Sequence, residues 1–424
     1  MSKLPFELMM ALRYLRPKRT FVSIITVISI IGVALGVAVL IIVISVMNGY
    51  DHDLRQRILG FAAHLTITQV DSTISDYEAV SGIISQNDHV RGVAPFVMGP
   101  VLVETQGDTN RPALQFAPTI RGVDPKLEPK ISELPSKVIF GNFDVSGHGI
   151  VVGADFADRL QLSLGDHLSI YSAREFKKMK EAFDSKKSEA ILPGDYEVRG
   201  IFSVGYYDYD ANIVIVSLEN AQDMYDLGDS VHGLFVTLDD PYKAPLVQAQ
   251  LTNTLGPNFV VKTWMGQNSA ILGALVVEKS MMYYITFFIV IVASFGITCT
   301  LITFVILKTR EIGIMKAVGA SNFQVMLIFV TQSVIVSIVG VASGLGLGLF
   351  ALHVRNDFLH LMNRLMGMDM FNAQVYGFGE LPALINPGDI AIICGGALVI
   401  CLMAAILPAH YASKMNPVEA LRYD

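Results

Sequence analysis

The sequence predicts a membrane protein, α-helical with four transmembrane helices, plus an α+β extracytoplasmic domain built of a split β-α-β subdomain and an inserted β-rich subdomain. Three observations carry that expectation. The chain is 52% hydrophobic and 16% charged over 424 residues, where soluble domains carry about 25% charged residues. Four windows, Thr20–Tyr50, Met281–Leu307, Ser321–Leu352 and Ile390–Ala409, contain no Asp, Glu, Lys or Arg, and a helix of about 20 apolar residues crosses a bilayer. Between the first two windows lie some 230 residues whose hydrophobic period switches between that of strands and that of helices.

Residues 1–19 form a basic arm with five Lys/Arg against one Glu. Within it Phe6, Leu8, Met9, Leu12 and Leu15 keep helical spacing beside Arg13, Arg16, Lys18 and Arg19, the pattern of a helix lying on a membrane surface. The first window (20–50) is too long for the ~7–15-residue core of a cleaved signal and ends without an A-x-A-like site. It is read as a retained anchor. Its outer end, "ISVMNGYDHDLRQRILG", holds no breaker beyond Asn48-Gly49, so one long helix is expected to leave the bilayer. Charge sets the orientation. Residues 308–320 carry three basic groups against one acidic, and Asp51–Lys279 carries 19 basic and 30 acidic. Short basic flanks stay inside. Both termini and the 308–320 loop are therefore expected in the cytoplasm, with 51–280 outside.

The large domain repeats a motif. "HLTIT" (64–68) alternates as a strand, "DYEAVSGIISQN" (76–87) has helical spacing and "GVAPFVMGPVLVET" (92–105) is again strand-like. "GLFVTLDD" (233–240), "KAPLVQAQLTNTLG" (243–256) and "NFVVKTW" (258–264) give a second β-α-β. Two such units around residues 110–230 predict a split subdomain with a β-rich insertion. The insertion carries "AREFKKMKEAFDSKKSEA" (173–190), where Phe176, Met179 and Phe183 stand three and four apart. That spacing fits either a helical arm or a solvated loop.

The remaining elements are a second span (281–307), a short helix (308–320), a third span (321–352), an outer loop (353–389), a fourth span (390–409) and a tail (410–424). Gly340, Gly344, Gly346, Gly348 and Gly395-Gly396 let helices approach closely, which is read as packing within the chain in preference to a subunit interface. The helix "KTREIGIMKAVGAS" (308–321) is too short to stand alone. It offers Ile312, Ile314 and Met315 together with Arg310, Glu311 and Lys316, either to a cytoplasmic partner or to lipid headgroups. No Gly-Lys phosphate loop, H-E-x-x-H or G-x-S-x-G occurs, and the nine histidines lack metal-like spacing. Neither an enzyme, a cofactor, a metal site nor nucleic-acid binding is expected.

The stretch "ISIIGVALGVAVLIIVISVMNGYDHDLRQRILG", the "KTREIGIMKAVGAS" helix, "VVGADFADRLQLSLGDHLSIY" and "NPVEALRY" (416–423) resemble the lipoprotein-releasing ABC transporter permeases, the LolC/LolE family within the MacB-like group. The resemblance implies a permease working with a second permease (itself or a paralogue) and two cytoplasmic ABC ATPase subunits, in the bacterial inner membrane. Its substrate would be a lipidated lipoprotein, extracted from membrane lipid and passed to a periplasmic carrier. It further implies a coupling helix seated on the ATPase, with Arg310, Glu311, Ile314, Met315, Lys316 and Gly319 as contact residues. Acyl chains would lie against Val43, Val46 and Met47 of the first span and Met281, Met282 and Ile285 of the second. Phe176, Met179 and Phe183 stand where the carrier-binding permease has a hook, but the proline-tipped hairpin is absent, since Pro193 comes only at the end of Ser172–Pro193. Cargo and subunit type stay open. The rival readings are a MacB-like exporter of drugs, peptides or toxins and a transmembrane regulator of a periplasmic enzyme.

Overall fold

In the computed structural model the described residues are 9–11, 21–107, 112–184, 192–366 and 380–415. Most of the interfacial helix expected over Pro5–Leu15 and the "NPVEALRY" tail lie outside them; residues 9–11 are helical. The described chain divides into two compact units, a helical one (21–52, 274–366 and 380–415) and a sheet domain within 53–273.

The helical unit rests on four helices long and apolar enough to cross a membrane, reaching Phe61, Leu307, His353 and Ser413 at their C-terminal ends. In such a setting every backbone polar group must be satisfied within the segment, which a helix does. The first helix runs unbroken over Phe21–Phe61, as its sequence predicts. The second covers Ser269–Leu307, beginning well before the charge-free window because helical hydrogen bonding does not stop at Glu278 or Lys279. The third, Asn322–His353, opens with a capping box in which Ser321 and Gln324 each bond the other's backbone. The fourth, Pro387–Ser413, starts at an Asn386 cap with Pro387 in the first turn. The stretch 353–389, read as a loop, opens with a further helix, Arg355–Met366. One core joins Val37, Leu40, Ile41 and Ile44 of the first helix to Leu301, Val341, Ile393 and Cys401.

Among the described residues the sheet domain contains twelve strands, β1 Leu65–Gln69, β2 Val90–Pro100, β3 Leu102–Thr105, β4 Gln115–Phe116, β5 Thr119–Val123, β6 Val138–Gly141, β7 Gly149–Gly153, β8 His167–Tyr171, β9 Gly194–Phe202, β10 Ile213–Ser217, β11 Gly233–Leu238 and β12 Phe259–Thr263. Their order is β12-β1-β11-β2-β5-β10-β7-β9-β8-β3-β4, with β6 paired to β9. Pairing is antiparallel except for β5–β10 and β7–β9, so the sheet is mixed. Helices Tyr77–Ile84 and Ala244–Leu255 connect β1 to β2 and β11 to β12, the two units legible in the sequence. Residues 53–61, the last turns of the first long helix, also belong to this domain. Phe61 is buried in a core with Val123, Val151, Phe202 and Ile215, and Gly60 O accepts from Glu133 N at 3.1 Å. Arg121 is buried beside Glu128 at 2.7 Å, and its guanidinium lies 5.0 Å from the ring centres of both Phe61 and Phe235.

Candidate coupling and lipid-facing sites

The short helix between the second and third long helices covers Thr309–Ala317. Ile312 is fully buried and packs with Phe304, Val305, Val325, Phe329 and Ala412, and Met315 leans on the same cluster. Lys316, expected among the charges offered to a partner and on the same side as Ile312 and Met315, is half-buried, and its Nζ donates to Ser413 O at 2.8 Å and Met415 O at 2.7 Å. A cation there also meets the negative end of the fourth helix. The helix is thus fastened to the C-terminal end of the fourth span. Its open side holds Arg310, Glu311, Ile314, Ala317 and Val318, with Glu311 accepting from Lys308 Nζ at 2.5 Å. Val318, 85% exposed, stands one helical turn beyond Ile314 on that side. Gly319 ends the helix at φ +109, a backbone angle that glycine adopts without strain.

At the other end of the bundle Val43, Val46 and Met47 are half-buried on the first span. Met47 and Met282 meet around a small cavity with Ile44, Asn48, Lys279 and Tyr283. Met281 and Ile285 face outward, 57% and 51% exposed, while Val46 packs against the core shared by the four long helices. The six candidate lipid contacts therefore divide: Met281 and Ile285 are exposed, Met47 and Met282 line the small cavity, Val46 packs in the bundle and Val43 stays half-buried on the first helix. A polar chain closes this end. Lys279 Nζ donates to Asn48 Oδ1 at 2.9 Å, and Asn48 Nδ2 donates to Asp389 Oδ2 at 2.6 Å. Next to it, Leu384 N donates to Ser45 O at 2.8 Å. Gly49 permits that approach, since a Cβ there would stand 2.5 Å from Ala383 Cα.

The charged arm is a helix, Ala173–Asp184, none of whose residues is buried. Phe176 and Phe183 are 49% and 84% exposed, and Met179 is half-buried. Ion pairs from Arg174 to Asp223 and from Lys177 to Asp226 tie its first turns to the domain. Such exposed pairs contribute little to stability. Residues 185–191 lie outside the described part.

Four long apolar helices, a mixed-sheet domain between the first two and a small helix pinned beneath the last define a membrane-spanning subunit of the permease class. Residues 26–254 match the MacB-like periplasmic core domain and residues 283–417 the FtsX-like permease C-terminal domain. The "Lipoprotein-releasing system transmembrane protein LolC" of Neisseria meningitidis serogroup B is 30% identical over 99% of both chains. The corresponding LolE of Haemophilus influenzae is 28% identical over 96% of both. Among solved structures, the periplasmic region of MacB from Actinobacillus actinomycetemcomitans is 13% identical, with a TM-score of 0.32, covering 51% of this chain and 94% of that one. The chain belongs to the LolC/LolE family of lipoprotein-releasing system transmembrane proteins, and the sheet domain is its periplasmic domain.

Proposed function

We propose that this chain is a permease subunit of an ATP-driven ABC transporter that extracts lipoproteins from the inner membrane and passes them to a periplasmic carrier. The observation that carries the reading is the end-to-end likeness to relatives named as lipoprotein-releasing transmembrane proteins. In this reading all four apolar helices span the inner membrane and both termini are cytoplasmic. The strand run β12-β1-β11-β2 with its two helices is a split β-α-β subdomain into which β3–β10 are inserted.

ATP is hydrolysed by a separate cytoplasmic subunit seated on Arg310, Glu311, Ile314, Ala317 and Val318. Ile312, Met315 and Lys316 fasten that helix to the spans, so a push on its open face reaches the second, third and fourth helices together. The unbroken first helix links membrane and periplasmic segments of the chain. Acyl chains of the lipoprotein rest on Met47, Met281, Met282 and Ile285, where unbranched methionines adapt to varied lipid shapes. The arm bearing Phe176, Met179 and Phe183 offers the carrier an apolar anchor with a charged rim. Purified chain, reconstituted with its ATPase and partner permease in liposomes holding a triacylated lipoprotein, should release that lipoprotein to a soluble carrier only when ATP is present. ATP hydrolysis with all cargo left in the liposomes would overturn the proposal.

A further inference from the structure

The helical unit holds a cavity, with buried polar groups set in a largely apolar wall, that neither coupling nor lipid binding uses. It lies among the first, second and third helices and is lined by Thr26, Ser29, Thr300, Gln332 and Ser333 together with Leu301, Phe304 and Val336. Gln332 and Ser333 are 3% and 1% exposed, yet Gln332 Oε1 and Ser333 Oγ have no hydrogen-bond partner. The neighbouring hydroxyls are committed to one another and to backbone. Ser29 Oγ donates to Thr300 Oγ1 at 2.6 Å, and Thr300 Oγ1 donates to Gly296 O at 2.7 Å.

A buried amide oxygen without a donor is costly anywhere, and more so among apolar helices. Room and chemistry both indicate what relieves it. The cavity leaves about 20 Å³ for the centre of a water molecule, above the ~10–15 Å³ that one water requires. The void between Ile44, Met47 and Met282 leaves only about 10 Å³. The polar groups around the Gln332 cavity are neutral and include no carboxylate, so nothing there offsets the desolvation of an ion.

We propose that this cavity is a hydration site: one water donates to Gln332 Oε1, accepts from the Ser333 hydroxyl, and joins the third helix to the Ser29–Thr300 pair. The three helices are then linked here through an exchangeable molecule and not through direct side-chain bonds alone. A joint of this kind lets helices shift by small steps while each polar group keeps a partner. The site rests on the packing of the bundle and is independent of what the permease transports.

Hydroxyl-radical footprinting by brief X-ray exposure, read by mass spectrometry, tests it on the full-length permease with its ATPase in nanodiscs. Ordered water generates radicals in place, so a buried ring beside it is oxidised. Phe304, 2% exposed, should be labelled, and Phe202, fully buried in the periplasmic domain, should not. Gln332→Met with Ser333→Ala should abolish labelling of Phe304. A wild-type Phe304 labelled no more than Phe202 overturns the proposal without reference to any variant. So does labelling that survives in a double variant that still assembles with the ATPase.

Discussion

Adding one methyl group along the third helix should destabilise the bundle at some glycines and not at others. Gly340, Gly344 and Gly348 repeat every four residues against the first helix. A Cβ at Gly344 would stand 2.6 Å from Ala34 O and 2.8 Å from Val37 Cβ; at Gly340, 2.8 Å from Val33 Cβ; at Gly348, 3.2 Å from Ile41 Cβ. Gly346, in the same helix, has nothing within 4 Å of that position. Since carbon atoms rest about 3.5–4.0 Å apart, Gly344→Ala must part the two helices by roughly 1 Å. The obstacle includes a backbone oxygen, which no side-chain rotation removes. Overpacking of this kind costs about 1–3 kcal/mol, whereas alanine in place of glycine favours a helix by about 0.5–1 kcal/mol. The second term is common to all four positions, so the difference between Gly344→Ala and Gly346→Ala isolates the packing term. Heating the purified variants in detergent and measuring the fraction that remains monodisperse should rank Gly346→Ala at or above wild type. Gly348→Ala should fall close to wild type, then Gly340→Ala, then Gly344→Ala lowest. Equal midpoints for the 344 and 346 variants would refute the close approach of the first and third helices.

Four further outcomes are expected. Lys316→Met removes two charge-assisted bonds to Ser413 and Met415 while leaving the open face of the coupling helix intact. The ATPase should still bind, but lipoprotein released per ATP hydrolysed should fall severalfold, and Lys316→Arg should restore part of it; unchanged release per ATP refutes the fastening role. His64 and His232 accept backbone N–H bonds at Nδ1, from Leu238 at 2.9 Å and Met98 at 3.1 Å. Burial holds both rings below their usual value of 6.5. The unfolded chain therefore takes up protons first, and stability is lost as pH falls below about 6.5. Thermal midpoints should drop between pH 7 and pH 5 in wild type and flatten when both are asparagine, which keeps an acceptor. Met47→Asp or Ile285→Asp should abolish lipoprotein loading, and photo-crosslinkers at these two positions should capture lipoprotein until ATP is added; capture of phospholipid alone would exclude the acyl site. Deleting Lys177–Lys187 should spare folding and loading but stop transfer to the carrier, and normal transfer would reduce the arm to a solvated surface helix.

Much of this architecture is written in local pattern. The four long apolar helices follow from absence of charge, and the two β-α-β units from a change of period that neighbouring residues alone create. The short helix Thr309–Ala317, too, is visible as a charged island between apolar windows. Its facing is not. Lys316 looks like a surface charge because the two carbonyls that hold it belong to residues 97 and 99 positions away, and no local rule reports a partner at that distance. The same holds for the Lys279–Asn48–Asp389 chain, whose members come from three different helices. The start of the second helix at Ser269 was missed because the charge-free window measures lipid compatibility, whereas a helix continues wherever its backbone bonds do. Val46 is placed among the candidate lipid contacts by resemblance to a family, and its half-buried side chain also packs against the bundle core.

The place of β1 in the sheet has a consequence for the order of assembly during synthesis. β1 is the first strand made, yet both its neighbours come from the far end of the domain, with Leu65 opposite Val236 on one side and Thr263 on the other. At a synthesis rate of about 5–20 residues per second, the roughly 200 residues from Leu65 to Thr263 take about 10–40 s to appear. Through that interval β1 waits with both edges unpaired, already tethered to a membrane anchor, and exposed edges invite pairing with the wrong chain. In a nascent chain of this topology the edges of β1 stay open until β11 and β12 are made, so its yield should depend on how quickly the ribosome reaches β12.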